Sequence, residues 1–411
     1  MNQSTRRDKG LLRLPVPMIR VTVLLISTAP LMAEEPKPVY RSFEVSETAG
    51  IRRRSDVVTA ITSLPDSASA ETRFQLLRSE TPLAAQFRVV ESESHRRLIT
   101  DCIDDFAPFE TQRYTLVINA EDSVDEPPPG LTLKTTPDDF HINSAGVLDW
   151  IIPRDLQGLL QFSYQNRDYI QPDSVGLFFT DDSGATHQLA ERAPDSAIVE
   201  RDGPIASSLR FDYADWPPAT QSLVQLEFYR TKSWVHVVWT VEGSADRLRT
   251  MGAGLNLVIE GPEVLVDFGA GDFVYTTVRG AQTTQLRTRR RSEVDIDWRV
   301  LHGTEDALVP IVVAPRHDAP PRVPGWAHVM GEHRCTALAL ADFTKSTAGQ
   351  IEVAGNGRLS WVREFSSDTN PELEARTLEF WLHFVTMPVH IGARTSPRSM
   401  QELLEVTWDN E

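Results

Sequence analysis

Cysteine and long hydrophobic runs are both scarce in this 411-residue chain, and each scarcity excludes a class of protein. The two cysteines, Cys102 and Cys335, stand far apart. This excludes a small disulfide framework and favours buried free thiols, although a bridge between two domains stays open. The spacings of metal-ligand motifs and of nucleotide-binding glycine motifs are absent, so we expect no metal and no cofactor.

Positive charge is scarce as well. The chain has 41 Lys and Arg residues against 58 Asp and Glu residues, a net charge of −17. This balance disfavours nucleic acid and anionic membranes as partners, because both attract basic surfaces. The basic residues cluster only at Arg52–Arg54 and Arg287–Arg291. Both clusters are typical of solvated loops or strands, and an anionic ligand in a local basic pocket stays open.

Residues 1–33 have the pattern of a secretory leader. Five basic residues precede a short apolar run, Val21–Leu31, which ends at the small residue Ala33. The run is shorter than the ~20 residues that span a bilayer. Leu31 fits poorly at the third position before the cleavage point, so a retained anchor stays an alternative. We therefore expect a secreted or periplasmic protein, with no membrane partner unless the leader is retained.

The rest of the chain has almost no helical periodicity. Short apolar or alternating runs recur between Gly, Pro, Asp and Asn residues, which predicts an all-β fold with a large antiparallel β-sandwich. One short C-terminal helix is predicted from Ser396, with Pro397 in its first turn. The acidic, proline-rich segment Glu121–Gly130 predicts a linker. It would separate a small β-domain, residues 40–120, from a large β-sandwich domain, residues 131–411.

The segment Thr377–Val385 alternates strictly between two kinds of side chain. Large apolar residues occupy one side of the predicted strand and form a core face. Glu379, Trp381 and His383 occupy the other, which we expect to be an exposed sheet face. A carboxylate, an indole and an imidazole together are unusual on a face that is only solvated.

A second pair of strands repeats this pattern. Trp234–Val241 is expected to pair with Leu223–Tyr229 through a short turn. Sugar rings pack their C–H faces on aromatic side chains, and their hydroxyls bond to carboxylates and imidazoles. The alternative is that these are interface aromatics between two sheets. The candidate substrate-binding residues are Glu227, Tyr229, Trp234, His236, Glu379, Trp381 and His383.

Several segments resemble the exo-rhamnogalacturonan lyase (YetA-like) family. Three segments resemble its N-terminal RIFT-barrel domain, namely Thr48–Ile51, Pro82–Phe87 and Tyr114–Leu116. Four later segments resemble its central β-sandwich, namely Trp234–Trp239, Gly325–His328, Ala337–Phe343 and Gly357–Leu359. The resemblance implies a small RIFT-type β-barrel followed by a large supersandwich-like β-sandwich, and a rhamnogalacturonan-type substrate class. Family members continue into a helical-toroid domain that this sequence lacks, so the resemblance carries over no catalytic residue.

Three functions remain open from the sequence. The first is a secreted, non-catalytic protein that binds a polysaccharide or oligosaccharide through the aromatic and histidine face. The second is a polysaccharide lyase acting by β-elimination, with His236 or His383 as the base and a nearby arginine neutralising the uronate carboxylate. The third is a structural envelope protein without a small ligand, whose aromatic face is covered by a partner.

Overall fold

Antiparallel strands dominate the computed structural model. It describes residues 37–409 apart from residues 66–67, 69–71, 92–95, 121–126, 128–129, 216–220, 244–246, 271–273, 291–295, 314–322, 345–347, 366–374 and 388–395. The predicted leader and most of the predicted linker therefore lie outside the described residues. Among the described residues, no helix is long and apolar enough to cross a membrane.

The strands alternate along the chain with short turns. The first seven are β1 (Val39–Ser46), β2 (Arg53–Ser63), β3 (Phe74–Arg78), β4 (Thr81–Leu83), β5 (Ala85–Glu91), β6 (Arg96–Phe106) and β7 (Thr111–Ile118). The next eleven are β8 (Leu131–Thr135), β9 (Asp139–Ser144), β10 (Leu148–Pro153), β11 (Gln161–Tyr164), β12 (Arg167–Asp168), β13 (Gly176–Asp181), β14 (Thr186–Gln188), β15 (Ser196–Arg201), β16 (Ala206–Ala214), β17 (Gln221–Tyr229) and β18 (Trp234–Glu242).

The remaining strands complete the larger sheets. They are β19 (Leu248–Asn256), β20 (Val264–Phe268), β21 (Val274–Val278), β22 (Gln282–Arg290), β23 (Ile296–Thr304), β24 (Ala307–Val313), β25 (Trp326–Met330), β26 (Arg334–Leu340), β27 (Ala348–Ala354), β28 (Arg358–Glu364), β29 (Arg376–Thr386) and β30 (Glu405–Trp408). Among the described residues, a 3-10 turn covers Leu189–Glu191, and one short α-helix, α1, covers Ser396–Gln401. The prediction of an all-β antiparallel fold with one short C-terminal helix is confirmed.

The N-terminal strands form two small sheets that share a core. One has the strand order β30-β1-β7-β3-β4, and the other has the order β2-β6-β5. Phe43 and Tyr114 from the first sheet pack with Val58 and Cys102 from the second. Cys102 and Cys335 are both buried free thiols, as predicted.

Two large sheets form the sandwich. The eight-stranded sheet has the order β14-β13-β19-β28-β27-β22-β23-β24, and the nine-stranded sheet has the order β15-β16-β17-β18-β29-β26-β25-β20-β21. Their inner faces meet in one core, where the ring centroids of Trp361 and Phe380 lie 4.8 Å apart. A five-stranded sheet, β12-β11-β10-β9-β8, closes one side, and Phe162 stacks on Phe384 at 4.2 Å.

The alternation predicted for β29 is present. Leu378, Phe380, Leu382 and Phe384 all lie in the sandwich core. Glu379, Trp381 and His383 consequently lie on the outer face of the nine-stranded sheet.

The last described strand pairs with the first. β30 pairs with β1, from Phe43 opposite Trp408 to Ser46 opposite Glu405. Residues Pro38–Glu411 form one compact unit. The division at the linker stays a prediction, but β30, the last described strand, belongs to a sheet of the N-terminal part.

Candidate functional site

Three neighbouring strands bring the predicted residues together. β17 and β18 form the predicted hairpin, with Glu227 directly opposite His236. β18 also pairs with β29, so that His236 lies opposite Trp381 and Trp234 lies opposite His383. The two patterns found in the sequence therefore form a single surface on the outer face of the sheet.

His236 is held between two carboxylates. Its Nδ1 lies 3.0 Å from Glu227 Oε2, and its Nε2 lies 2.9 Å from Glu379 Oε1. Carboxylates that are ionised only accept hydrogen bonds, so both ring nitrogens must donate, and this requires the imidazolium form. The three side chains form an acid–imidazolium–acid cluster across three strands.

The surroundings stabilise this charge arrangement. Burial alone would lower the pKa of His236, but the hydrogen bonds and charges of Glu227 and Glu379 raise it to about 9. Burial alone would raise the pKa of Glu227, but His236, Arg201 and Tyr229 together lower it to about 2. Both groups are therefore ionised at neutral pH.

Aromatic rings border the cluster. The His236 imidazole stacks on the Trp381 indole with ring centroids 4.5 Å apart and an angle of 4° between planes. Trp234 meets His383 edge to face at 5.9 Å, and Lys232 Nζ lies 4.9 Å from the centre of the Trp234 ring. Burial, with the nearby charges of His328 and Lys232, lowers the pKa of His383 to about 3, so this imidazole is neutral.

A cavity of about 210 Å³ adjoins this surface. Five of the seven predicted residues line it, while Glu379 supports His236 and His383 lies beside Trp234. Its other walls come from β2, from α1, from the segment between α1 and β30, and from β30 itself. The lining residues are Arg53, Asp56, Val57, Thr59, Glu227, Tyr229, Trp234, His236, Trp381, Ser399, Leu403, Leu404 and Val406.

The expectation of an exposed sheet face is wrong for the two indoles. Trp234 is 8% exposed and Trp381 is 4% exposed. Met400 of α1 is fully buried and packs with both, because the C-terminal segment crosses the sheet at this point. Gln401 Nε2 fastens the segment by donating to the backbone oxygen of Leu340 at 2.7 Å. The alternation identified the face, but no local signal showed that α1 covers it.

An ion pair missed in the sequence connects this site to the N-terminal sheets. Arg201 Nη1 donates to both carboxylate oxygens of Asp101, at 3.0 and 3.1 Å, and its Nη2 donates to Glu227 Oε1 at 3.3 Å. Thr59 donates to the same Asp101 carboxylate at 2.7 Å. One hundred residues separate Arg201 from Asp101, and no spacing in the sequence could indicate their contact.

The arrangement suits binding of a polar, uncharged group. Opposite charges largely offset one another within it, since the two cations His236 and Arg201 pair with the three carboxylates of Glu227, Glu379 and Asp101. A carboxylate offers about four acceptor positions, and Glu227 uses three of them for Arg201, His236 and Tyr229. One acceptor position of Glu227 remains for a hydroxyl in the cavity, which Glu227 and Trp381 both line. Among the described residues, no group of three His, Cys, Asp or Glu side chains is placed to hold a metal ion.

Comparison with known proteins shows similarity in fold. No protein-family model matches the chain, and no curated protein matches it in sequence. A glycosyl hydrolase family 38 protein from Enterococcus faecalis has a TM-score of 0.58 at 9% identity, covering 90% of this chain and 47% of that one. An α-mannosidase from Enterococcus faecalis V583 has a TM-score of 0.57 at 10% identity, covering 90% and 46%. The chain spans less than half the length of either protein, and at this identity the likeness shows a shared fold alone.

Proposed function

We propose that this protein binds a carbohydrate in the cavity beside Glu227, His236 and Trp381, and that it does so as a secreted or periplasmic protein. The observation that carries the proposal is the acid–imidazolium–acid cluster stacked on an indole at a cavity wall. Sugars need both an apolar ring surface and fixed hydrogen-bond partners, and this cavity offers both. The similar solved structures, a glycosyl hydrolase family 38 protein and an α-mannosidase, support a carbohydrate ligand.

The cavity favours a single sugar unit over a long stretch of chain. Its volume of about 210 Å³ lies below the roughly 300–1,000 Å³ of pockets that hold drug-sized ligands. We therefore propose that it takes one residue, such as the end of a polysaccharide or a side branch. The rhamnogalacturonan-type ligand class, which rests on the sequence resemblance, is part of this proposal.

Glu227→Gln tests the binding proposal. Native gels containing galactan, arabinan or polygalacturonate would measure retardation of the wild type and its variants. We expect wild-type retardation in at least one gel and an affinity at least about tenfold lower in Glu227→Gln, because a hydrogen bond to a charged group contributes about 1.5–3 kcal/mol. Trp381→Ala should weaken the same interaction, because the indole forms part of the cavity wall and holds the His236 ring by stacking on it.

Tyr275→Ala is the matched control, since Tyr275 is an exposed aromatic residue on β21, at the far edge of the same sheet. This variant should bind like the wild type. Wild-type retardation that both site variants retain in full would contradict the proposal. No retardation in any gel would favour the structural alternative, in which α1 and the N-terminal sheets simply cover the aromatic face.

The lyase alternative makes a different prediction. A base at His236 is disfavoured, because its pKa of about 9 keeps the imidazole protonated at neutral pH. His383 is the neutral imidazole of the site. We expect incubation with pectic and ulvan-type polymers at pH 7 to produce no absorbance from an unsaturated uronide. Absorbance that disappears in His383→Ala would instead support β-elimination and overturn the non-catalytic assignment.

A further inference from the structure

A second polar surface lies on the opposite sheet of the sandwich. Arg287 and Arg289 of β22 and Arg299 of β23 project from the outer face of the eight-stranded sheet, and all three are exposed. They line an open cavity of about 530 Å³. Arg287 is directly opposite Arg299 in the strand register. On a chain with a net charge of −17, this is a local concentration of positive charge.

The pairing of Arg287 with Arg299 is unfavourable by itself. Like charges directly opposite each other on neighbouring strands destabilise a sheet. Arg299 Nη2 donates to Asp297 Oδ2 at 3.1 Å, which partly offsets its charge. On its other side Arg287 lies opposite Gln350 of β27, and it has no ion pair with any described residue. An anion lying between the two guanidinium groups would accept from both and remove the repulsion.

Two apolar side chains lie beside this pair. Val313 of the edge strand β24 lies opposite Arg299 and is 50% exposed. Leu301 lines the same cavity. An acidic sugar chain presents carboxylate or sulfate groups together with apolar C–H ring faces, and this surface complements both. The carboxylates of Asp297 and Glu364 also line the cavity, which disfavours a ligand as densely charged as a nucleic acid.

We propose that Arg287 and Arg299 form a binding site for the anionic groups of an acidic polysaccharide. It is separate from the cavity at His236, because the two lie on different sheets of the sandwich. The identification of the ligand as a polysaccharide rests on the proposed function. In that combination, one surface takes a neutral sugar unit and the other takes the acidic groups of the polymer.

The double variant Arg287→Gln/Arg299→Gln tests the site, with polygalacturonate as the probe in affinity gels. We expect about a tenfold or greater loss of affinity, since each guanidinium–carboxylate contact is charge-assisted. Fully methyl-esterified polygalacturonate has the same backbone without charges and should not distinguish the variant from the wild type. The matched control is Arg192→Gln/Arg279→Gln, which removes two exposed arginines elsewhere and should leave binding unchanged.

Equal polygalacturonate affinity in the wild type and the Arg287/Arg299 variant would overturn the site. An equal loss of affinity in the Arg192/Arg279 control variant would also overturn it. So would a wild type that binds single-stranded DNA as tightly as polygalacturonate, because the effect would then be one of general charge. Glu227→Gln separates this proposal from the proposed function. If Glu227→Gln changes no interaction while the arginine variant loses polygalacturonate, the cavity proposal fails and the arginine site stands.

Discussion

Replacing Arg201 by alanine is expected to lower the free energy of unfolding by about 3–5 kcal/mol, because it leaves a buried carboxylate without its cation. The Arg201 and Asp101 side chains are 5% and 1% exposed. Without Arg201, the Asp101 carboxylate would keep the hydrogen bond from the Thr59 hydroxyl. Urea unfolding followed by tryptophan fluorescence would measure the loss.

Two further variants make this measurement specific. Arg192→Ala removes an arginine from an exposed pair, with side chains 37% and 48% exposed, and should cost at most about 1 kcal/mol. The double variant Asp101→Leu/Arg201→Met should recover most of the stability, since an apolar pair avoids the unpaired charge. A cost for Arg201→Ala no larger than that for Arg192→Ala would show that Asp101 is solvated.

Raising the pH from about 6.5 to above 9 is expected to remove up to about 3 kcal/mol of stability through His236 alone. The folded-state pKa of His236 is raised to about 9 from its ordinary value of 6.5. A raised pKa means that the folded state holds its proton more tightly. The stabilisation is therefore complete below pH 6.5 and is lost as the pH rises through 9.

The measurement is the denaturation midpoint at several pH values between 6 and 10. His236→Gln should have a flatter profile over this range and lower stability at pH 6. Tyrosine and lysine titration affect both proteins similarly, so the difference between the two profiles isolates His236. If the stability of the wild type and of His236→Gln changed in parallel with pH, His236 would not be held as an imidazolium between the two carboxylates.

Local patterns were enough to predict the two halves of the site. The short turn between Tyr229 and Trp234 sets the register of the hairpin, so Glu227 had to lie near His236. The alternation in β29 correctly predicted that Phe380 lies in the core and Trp381 on the opposite face of the sheet. These predictions depend only on strand geometry within a few residues.

The rest depends on contacts between distant parts of the chain. Alternation cannot show that β29 is the neighbour of β18, or that Met400 covers the face that they share. Nor could it show that Arg201 pairs with Asp101, one hundred residues earlier. Contacts between residues so far apart in the sequence leave no local periodic pattern, so only the assembled fold identifies the partners.

The pairing of β30 with β1 has a consequence for the order of events during synthesis. Phe43 is made before almost all of the other described residues, yet its ring lies 4.6 Å from that of Trp408 in β30, which follows the whole sandwich in the chain. Domains generally fold as they emerge from the ribosome, and contacts between distant residues form slowly. Until β30 has been made, the edge of β1 that pairs with it stays unpaired while the whole sandwich is translated. α1, which contributes Ser399 to the cavity wall, follows every strand of the two large sheets, so the cavity is completed only after the sandwich has been translated.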